Sequence, residues 1–578
     1  MTLCMLVEQI SKSDVVNQIL EYVRDNKPSK QELQLFKHRL GQQYHLKSIP
    51  TDIELLLHVS SGDLDFFKQF LLTKPVRSIS GVSPIAIMSW PYQCKHGACT
   101  MCPSMTSQGI PQSYTGVEPS TRRGIRNNFD PFLMIWNRLE QYVVTGHSFD
   151  KVEIIIQGGT FLSFPQEYQD DYILHVYKSL NDFSRMFVSE NRFDFELFKI
   201  FFELPGDIGN PQRTQRIQEK VLGVKYASHS TLDAAQEYND KYSYIKCVGL
   251  TIETKPDWGF IEHGLLMLKY GCTRVELGVQ SVYEDVIALI NRGHTIADTI
   301  RSIRELKDLG FKINVHYMPG LPGVKDASQD LEGMKELFAN PNYRPDMLKL
   351  YPCLVVKESR LYRDWLDGRF KPISTREAAS LIAEFKRDIP RYCRVMRIQR
   401  DIPTYMAKAG VDRTNLRQYV LELQKERGIV CQCIRCREIK SGVIKNPQCV
   451  VMEYEASGGR EFFVSIESED KIVGFVRLRF PSQSLCEEIS LDAALIRELH
   501  VFGKALQIGK GDDQHIQHRG FGRMLMQKAE EIAISYGKSK MVVISGVGVR
   551  GYYYKLGYEN KGPYMVKRLG VEQEKSVI

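Results

Sequence analysis

The spacing of apolar residues changes character three times along the chain. Over residues 1–75 they recur at helical intervals, as Val15, Ile19 and Tyr22 do, and Pro28 and Pro50 punctuate the run. This predicts a helical N-terminal region. From about residue 76 to 400 short apolar runs alternate with longer helical patterns. The strand candidates are Pro84–Met88, Val152–Ile156, Lys246–Ile252, Arg274–Leu277, Lys312–Val315, Met347–Leu350 and Val395–Ile398. Their separations leave room for a crossover helix, so the pattern predicts parallel βα units in a barrel or open α/β sheet. After a polar linker, residues 401–450, a third pattern occupies 451–578. There Lys471–Phe480, Leu495–Val501 and Met541–Ser545 read as strands, and an amphipathic helix opens near Gln517 and runs to about Tyr536. A chain of 578 residues is too long for a single core.

Most barrel-strand candidates are followed by glycine or polar residues: Gly158-Gly159, Glu253, Gly278-Val-Gln280, His316 and Tyr351. In α/β barrels the chemistry sits at the carboxyl ends of the strands. The first strand is followed by Cys94, Cys99 and Cys102, close enough in sequence to share one centre. Clustered thiolates select an iron–sulfur cluster or zinc, and three rather than four would leave one iron open. A structural zinc with a distant fourth ligand is the alternative on spacing alone. Gly158 and Gly159 allow close approach to the backbone, and Glu253 and Gln280 suit a polar cofactor, although each also reads as an ordinary capping residue. A second group, Cys431, Cys433 and Cys436, reads as a zinc clip with Cys449 or a histidine as fourth ligand, or as reduced thiols. Gly520 and Gly522 at a helix start favour a pyrophosphate. The segment 183–243 is too long for a plain connection and reads as a substrate-side lobe.

Composition adds one directional signal. The net charge is +8, and residues 386–445 alone hold 15 basic against 6 acidic residues. Such concentration is the footprint of a polyanion such as nucleic acid, or else a solvated basic face. No apolar run approaches the ~20 residues of a membrane span, and the first residues lack a secretory pattern, so a cytoplasmic protein without membrane contact is expected.

Several short motifs occur in a specific order: Cys94–Cys102, Gln112–Pro119, Lys151-Val-Glu with Gly158-Gly-Thr, Thr251–Asp257, Glu276–Ser281, Asn291–Thr295, Met318–Pro322, Glu498–Val501, Gln517–Arg523, Ser545–Gly548 and Gly562–Met565. In these the chain resembles the family of Elongator catalytic subunits in its archaeal-type form. The resemblance implies an α/β architecture, a radical S-adenosylmethionine partial (β/α) barrel joined to a GNAT-type acetyltransferase domain through a zinc-bearing linker. It implies that Cys94, Cys99 and Cys102 hold a 4Fe–4S cluster whose open iron binds S-adenosylmethionine, with Gly158, Gly159, Glu253 and Gln280 beside that cofactor. Acetyl-CoA is expected on Glu498, Leu499, His500, Val501, Gln517, Gly520, Phe521, Gly522 and Arg523. Tyr553 is expected near the thioester, with Lys151 reaching across from the first domain, and these two are the expected catalytic residues.

The resemblance further implies a tRNA substrate, presented by its anticodon stem-loop and modified at C5 of the wobble uridine to a carboxymethyl product. In the scheme it implies, a 5′-deoxyadenosyl radical activates the acetyl methyl group. An external electron donor is required, and a homodimer or Elongator-like accessory subunits are both compatible with the family. One departure is that Cys102-Pro-Ser-Met stands where the family has Cys-Pro-Gly-Gly, which puts the loop's conformation in question. Two rivals remain at this stage: a protein lysine acetyltransferase, and a non-catalytic tRNA-binding scaffold.

Overall fold

The computed structural model describes residues 12–73, 81–439, 444–502 and 520–570. Four helices, Lys12–Asn26, Lys30–Gln43, Asp52–Leu57 and Leu64–Leu71, form the N-terminal region. Two of them begin with reciprocal caps, Ser29 with Glu32 and Thr51 with Glu54, which satisfy the first free N–H groups. Their apolar faces, including Val15, Ile19, Val23 and Phe67, are buried in a core continuous with the next domain.

Counting only the strands of the two main sheets, the first contains β1 (Ser83–Met88), β2 (Lys151–Gln157), β3 (Lys246–Thr254), β4 (Arg274–Gln280), β5 (Lys312–Tyr317), β6 (Met347–Leu350) and β7 (Arg394–Ile398). They lie in chain order and every neighbouring pair is parallel. This is a partial (β/α) barrel, and parallel strands buried on both faces explain the near-continuous apolar runs. The 183–243 segment folds as helices Phe195–Phe201, Pro211–Tyr226 and Leu232–Lys241 after a long helix, Gln166–Phe187. Phe183, Phe187 and Phe202 pack around Trp136, and Phe198 packs on Phe187 and Phe202, so aromatic rings anchor this lobe.

The second sheet contains β8 (Gln448–Ala456), β9 (Gly459–Ser468), β10 (Lys471–Phe480), β11 (Ala493–Val501), β12 (Lys540–Ile544), β13 (Glu559–Lys561) and β14 (Tyr564–Arg568), in the order β8-β9-β10-β11-β12-β14-β13. All its pairs are antiparallel except β11–β12, between which the helix Phe521–Ser535 crosses. β12 pairs with β11 only along Ala493–Ile496, so the two strands part beyond Arg497. Arg497 is also the extra residue of a β-bulge, because Glu498 faces Arg477 while Ile496 faces Leu478. A bulge re-aims the side chain that sits on it.

That re-aimed side chain joins the domains. Arg497 donates to Asp346 at 2.7 and 2.5 Å and to Glu461 at 2.8 Å. Arg479 donates to Asp308 at 2.8 Å and to Glu461 at 2.9 Å, and Lys307 lies 3.4 Å from Glu461. Arg477 bonds Glu498 at 2.8 Å and lies 3.6 Å from Asp346. Lys307, Asp308 and Asp346 come from the barrel and the others from the second sheet. Almost all are fully buried. Charges this deep persist only when each is paired and hydrogen-bonded, so the two domains are fixed to each other by mutual need.

Candidate active site

The carboxyl ends of β1–β7 surround a cleft of about 140 Å³. Its walls include Cys94, Gly159, Glu253, Gln280, Arg292, His316, Tyr351 and Arg400. Four residues expected at one site from separate strands are therefore brought together. Gly158, beside Gly159, has φ 119°, and a Cβ there would sit 2.3 Å from the Ser89 hydroxyl, so only glycine fits that turn. Gln280 holds a left-handed φ of 73° at the end of β4 while lining the cleft. Strain kept at such a point is a mark of function.

Glu253 accepts from Gln157 at 3.2 Å and from the Tyr114 hydroxyl at 3.4 Å. Behind it lies a group that sequence reasoning did not assemble. Glu276, on β4, accepts from Lys349, from His316 Nε2 at 2.9 Å and from Asn314 at 3.2 Å. Burial opposes its charge, but Lys349 and His316 hold the carboxyl well below its usual range. Arg274, at the start of β4, continues this file of charges, bonding Glu153 at 2.8 Å and feeling Glu276 and, from the second domain, Glu498. The only signal for the group was polar residues inside strand patterns.

Cys99 and Cys102 are buried and Cys94 is half-buried at the cleft wall. Among the described residues, Cys431, Cys433 and Cys436 bring their sulfurs within 4.8 Å of one another, but Cys94, Cys99 and Cys102 do not. One tetrahedral zinc ion needs sulfurs about 3.8 Å apart, given Zn–S bonds of about 2.3 Å. The first triplet is not such a compact group. The second is the right size for one ion. Cys449, expected as a possible fourth ligand, is exposed at the start of β8 and lies outside that group. Lys386 donates to Cys436 Sγ at 3.5 Å.

In the second domain, the parting of β11 from β12 places Glu498–Val501 beside the helix start. Gly520, with φ 77°, caps that helix, and a Cβ on Gly522 would lie 2.8 Å from the Tyr552 hydroxyl and 3.9 Å from Val501. Phe521 is buried and Arg523 is exposed at the first turn. Gln517 lies outside the described residues. His500 stacks on Phe475, and burial pushes its pKa down to about 4. Tyr553 is buried in the domain core, edge-on to Tyr558, whereas Tyr552 faces the Gly522 turn. Tyr553 was expected near the thioester, but which ring faces the Gly522 turn was not legible in the sequence.

Lys151 starts β2, in register with Lys246 and at the end of the sheet opposite the cleft. That end is covered by Gly546–Val549 of the second domain: a Cβ on Gly546 would meet Val248 O at 2.2 Å, and one on Gly548 would meet Cys247 N at 2.8 Å. Of the basic linker region, Arg394 pairs with Glu438 at 2.6 Å, Arg397 pairs with Asp401 at 2.6 Å, and Arg400 donates to Ser113 O at 2.6 Å. Arg397 and Arg400 line the cleft. No described helix is long and apolar enough to cross a membrane.

Comparison with known proteins agrees with this geometry along the whole chain. Residues 10–79 match the ELP3 N-terminal domain, 88–337 the radical SAM superfamily, 345–425 the radical SAM C-terminal domain and 438–558 the acetyltransferase (GNAT) family. A tRNA uridine(34) acetyltransferase of Methanocaldococcus infernus is 37% identical over 98% of both chains. Elongator complex protein 3 of Homo sapiens is 37% identical over 96% of both. The solved structure of the archaeal Methanocaldococcus infernus Elp3, lacking its N-terminus, superposes with a TM-score of 0.68 at 37% identity, covering 85% of this chain and all of that one. Radical SAM membership implies a 4Fe–4S cluster with S-adenosylmethionine, and GNAT membership implies acetyl-CoA. With both domains, both sites and the N-terminal helices accounted for in one order, the chain belongs to the family of tRNA uridine(34) acetyltransferases and Elongator complex protein 3.

Proposed function

We propose that this protein modifies C5 of the wobble uridine of tRNA, using S-adenosylmethionine and acetyl-CoA, and yields 5-carboxymethyluridine. The observation that carries the reading is the fixed placement of the open thiol triplet and the parted β11–β12 strands within one body, clamped by the buried Arg497–Asp346–Glu461 network. A lysine acetyltransferase would have no use for the first site, and a scaffold would have no use for either.

Cys94, Cys99 and Cys102 would hold the 4Fe–4S cluster, which with S-adenosylmethionine supplies radical chemistry when bound. Gly158 and Gly159 let that cofactor approach the backbone, and Glu253 and Gln280 fix its polar groups. The N–H groups at Gly520–Arg523 would take the CoA pyrophosphate, and Glu498–Val501 the pantetheine arm. Lys151 is positioned as a mobile point charge on the sheet end that meets the second domain, suited to tethering a phosphate. Tyr552, which faces the Gly522 turn, would stand at the thioester in place of the buried Tyr553. The anticodon loop, whose bases can be splayed out, would enter the cleft past Arg397 and Arg400. Cys431, Cys433 and Cys436 would hold zinc, pinning the linker to β7 through the contact of Ile434 N with Cys393 O at 2.9 Å. Accessory subunits or a second copy would complete the assembly, and a cytoplasmic site suits a tRNA substrate.

The test is anaerobic release of CoA from acetyl-CoA by reconstituted protein. Release that depends on both tRNA and S-adenosylmethionine is expected. Release that is stimulated equally by a lysine-bearing peptide would replace this reading with the lysine acetyltransferase.

A further inference from the structure

Cys99 is the thiol on which the surrounding charges converge. Arg292 Nη1 donates to its Sγ at 3.5 Å. On the other side, Lys255 Nζ donates to His96 Nδ1 at 3.0 Å, which leaves the ring proton on His96 Nε2 to be directed at Cys99 Sγ, 3.4 Å away. Cys102 instead receives a neutral amide donor, Gln112 Nε2 at 3.4 Å, and lies 3.3 Å from the Ser113 hydroxyl.

The guanidinium is held there by contacts that owe nothing to a thiol. Its Nε and Nη2 donate to Gly278 O at 3.1 and 2.8 Å, and a Cβ on Gly278 would stand 2.3 Å from Nη2. The turn that carries it is pressed onto the cysteine loop. Asn291, in a left-handed conformation with φ 53°, donates to Ala98 O at 3.0 Å, and Thr100 N donates to Ile290 O at 2.9 Å. Gly293, with φ 74°, lies so close to His96 that a Cβ would meet its ring at 2.6 Å. A left-handed turn, a glycine pressed on His96 and a two-nitrogen anchor to Gly278 O fix one cleft-lining arginine closely. They make sense if its position relative to Cys99 matters.

Resting on the proposed function, we infer that Arg292 is a positioning residue that raises the reduction potential of the cluster, with the Lys255–His96 pair as a second donor to the same sulfur. The step is a one-electron reduction: one electron passes from a one-electron reductant into the cluster, and the cluster–thiolate unit gains one negative charge with no proton transferred. A fixed cation within hydrogen-bond reach of one ligand sulfur favours the more negative state, and hydrogen bonds to ligand sulfurs and local charge are among the factors that set such potentials. Arg292 therefore makes the reduction that must precede radical chemistry accessible to a weaker donor.

The experiment is a dithionite titration with redox mediators, followed by electron paramagnetic resonance, on reconstituted full-length protein without S-adenosylmethionine. Arg292→Gln should need a potential lower by the equivalent of about a tenfold change in the reduction equilibrium, 59 mV for one electron, with iron and sulfide content unchanged. Arg292→Lys, which keeps the charge, should recover most of the shift. Gly278→Ala, which displaces the guanidinium without touching a thiol, should move the potential in the same direction as Arg292→Gln. An unchanged potential in Arg292→Gln at full iron content overturns the inference, even if S-adenosylmethionine then binds more weakly. Loss of iron in both Arg292→Gln and Gly278→Ala also overturns it, because the arginine would then be a support of the loop. Failure of the unsubstituted protein to assemble any 4Fe–4S cluster would instead sink the reading of Cys94, Cys99 and Cys102.

Discussion

Replacing Asp346 with Asn tests whether the two catalytic domains are one folding unit. The carboxylate is fully buried and accepts from both terminal nitrogens of Arg497, at 2.7 and 2.5 Å, and from Ile313 N at 2.9 Å. Asn keeps the shape and can still accept one or two of these bonds, but it removes the charge that Arg497 and Arg477 face. Glu461 and Glu498 remain as their only carboxylate partners. Removing one partner of a buried pair costs about 3–5 kcal/mol, because the orphaned charge stays in a dry environment. That is a large share of a typical stability of about 5–15 kcal/mol. All four tryptophans, Trp90, Trp136, Trp258 and Trp365, lie in the barrel domain, so their fluorescence reports that domain while circular dichroism reports the whole chain. In urea the two probes should coincide for the unsubstituted protein and separate for Asp346→Asn, with the midpoint moved down by the stated energy. Burial alone would raise the Asp346 pKa, but Arg497, Lys307 and Arg477 outweigh it and hold the group well below the carboxylate range. Its contribution is therefore fully present above the unfolded carboxylate pKa of about 4 and is lost only in stronger acid. The difference between the two proteins should be flat from about pH 5 to 8. A change below about 1 kcal/mol would refute the reasoning, as would one that varies across that range.

Three further outcomes are expected. Burial raises the Asp330 pKa from 3.8 to about 6, against the pull of the Gly320 N–H that it accepts at 2.7 Å. The folded state then holds a proton the unfolded state has released, so stability falls as pH rises from about 4 to 6, and Asp330→Asn should raise the free energy of unfolding above pH 6, by at most about 3 kcal/mol, but not below pH 4. In the acetyltransferase domain, Tyr552→Phe should lower kcat/KM for acetyl-CoA roughly tenfold, the worth of one hydrogen bond at a reacting group. Tyr553→Phe should do less to turnover, and the reverse order would return Tyr553 to the thioester. Finally, Arg400→Gln should weaken tRNA binding and reduce the log–log salt slope by about 1, while Arg394→Gln, whose side chain is committed to Glu438, should leave the slope unchanged in a folded protein.

Much of this was legible because parallel strands bury both faces. Met347–Leu350 was read from its apolar run residue for residue, and the other barrel strands were extended by only one to three residues. The carboxyl-end placement of Gly159, Glu253 and Gln280 followed from strand polarity alone. What could not be read depends on distance between segments far apart in sequence. Arg477, Arg479 and Arg497 look like outward-facing polar positions of half-exposed strands, and only the barrel's Asp308 and Asp346 make them interior. Spacing left iron–sulfur and zinc both open for the first cysteine triplet, and only the second brings its sulfurs within 4.8 Å of one another among the described residues. The 183–243 lobe was long enough to suggest a role beside the substrate, and its phenylalanines anchor it at Trp136. The basic excess of 386–445 overstated the free charge, since Arg391, Arg394, Arg397 and Arg437 each have a carboxylate partner.

The central claim is that one body joins radical and acetyl-CoA chemistry at a tRNA uridine. It is tested most directly by mass spectrometry of nucleosides from tRNA incubated anaerobically with reduced, reconstituted protein, S-adenosylmethionine and acetyl-CoA labelled with carbon-13 in the acetyl group. The account predicts labelled 5-carboxymethyluridine at the wobble position, absent when either cofactor is withheld and absent with Cys99→Ala. Unmodified uridine from a protein with a full, reducible cluster and bound acetyl-CoA would contradict it, as would a labelled product formed equally well by Cys99→Ala.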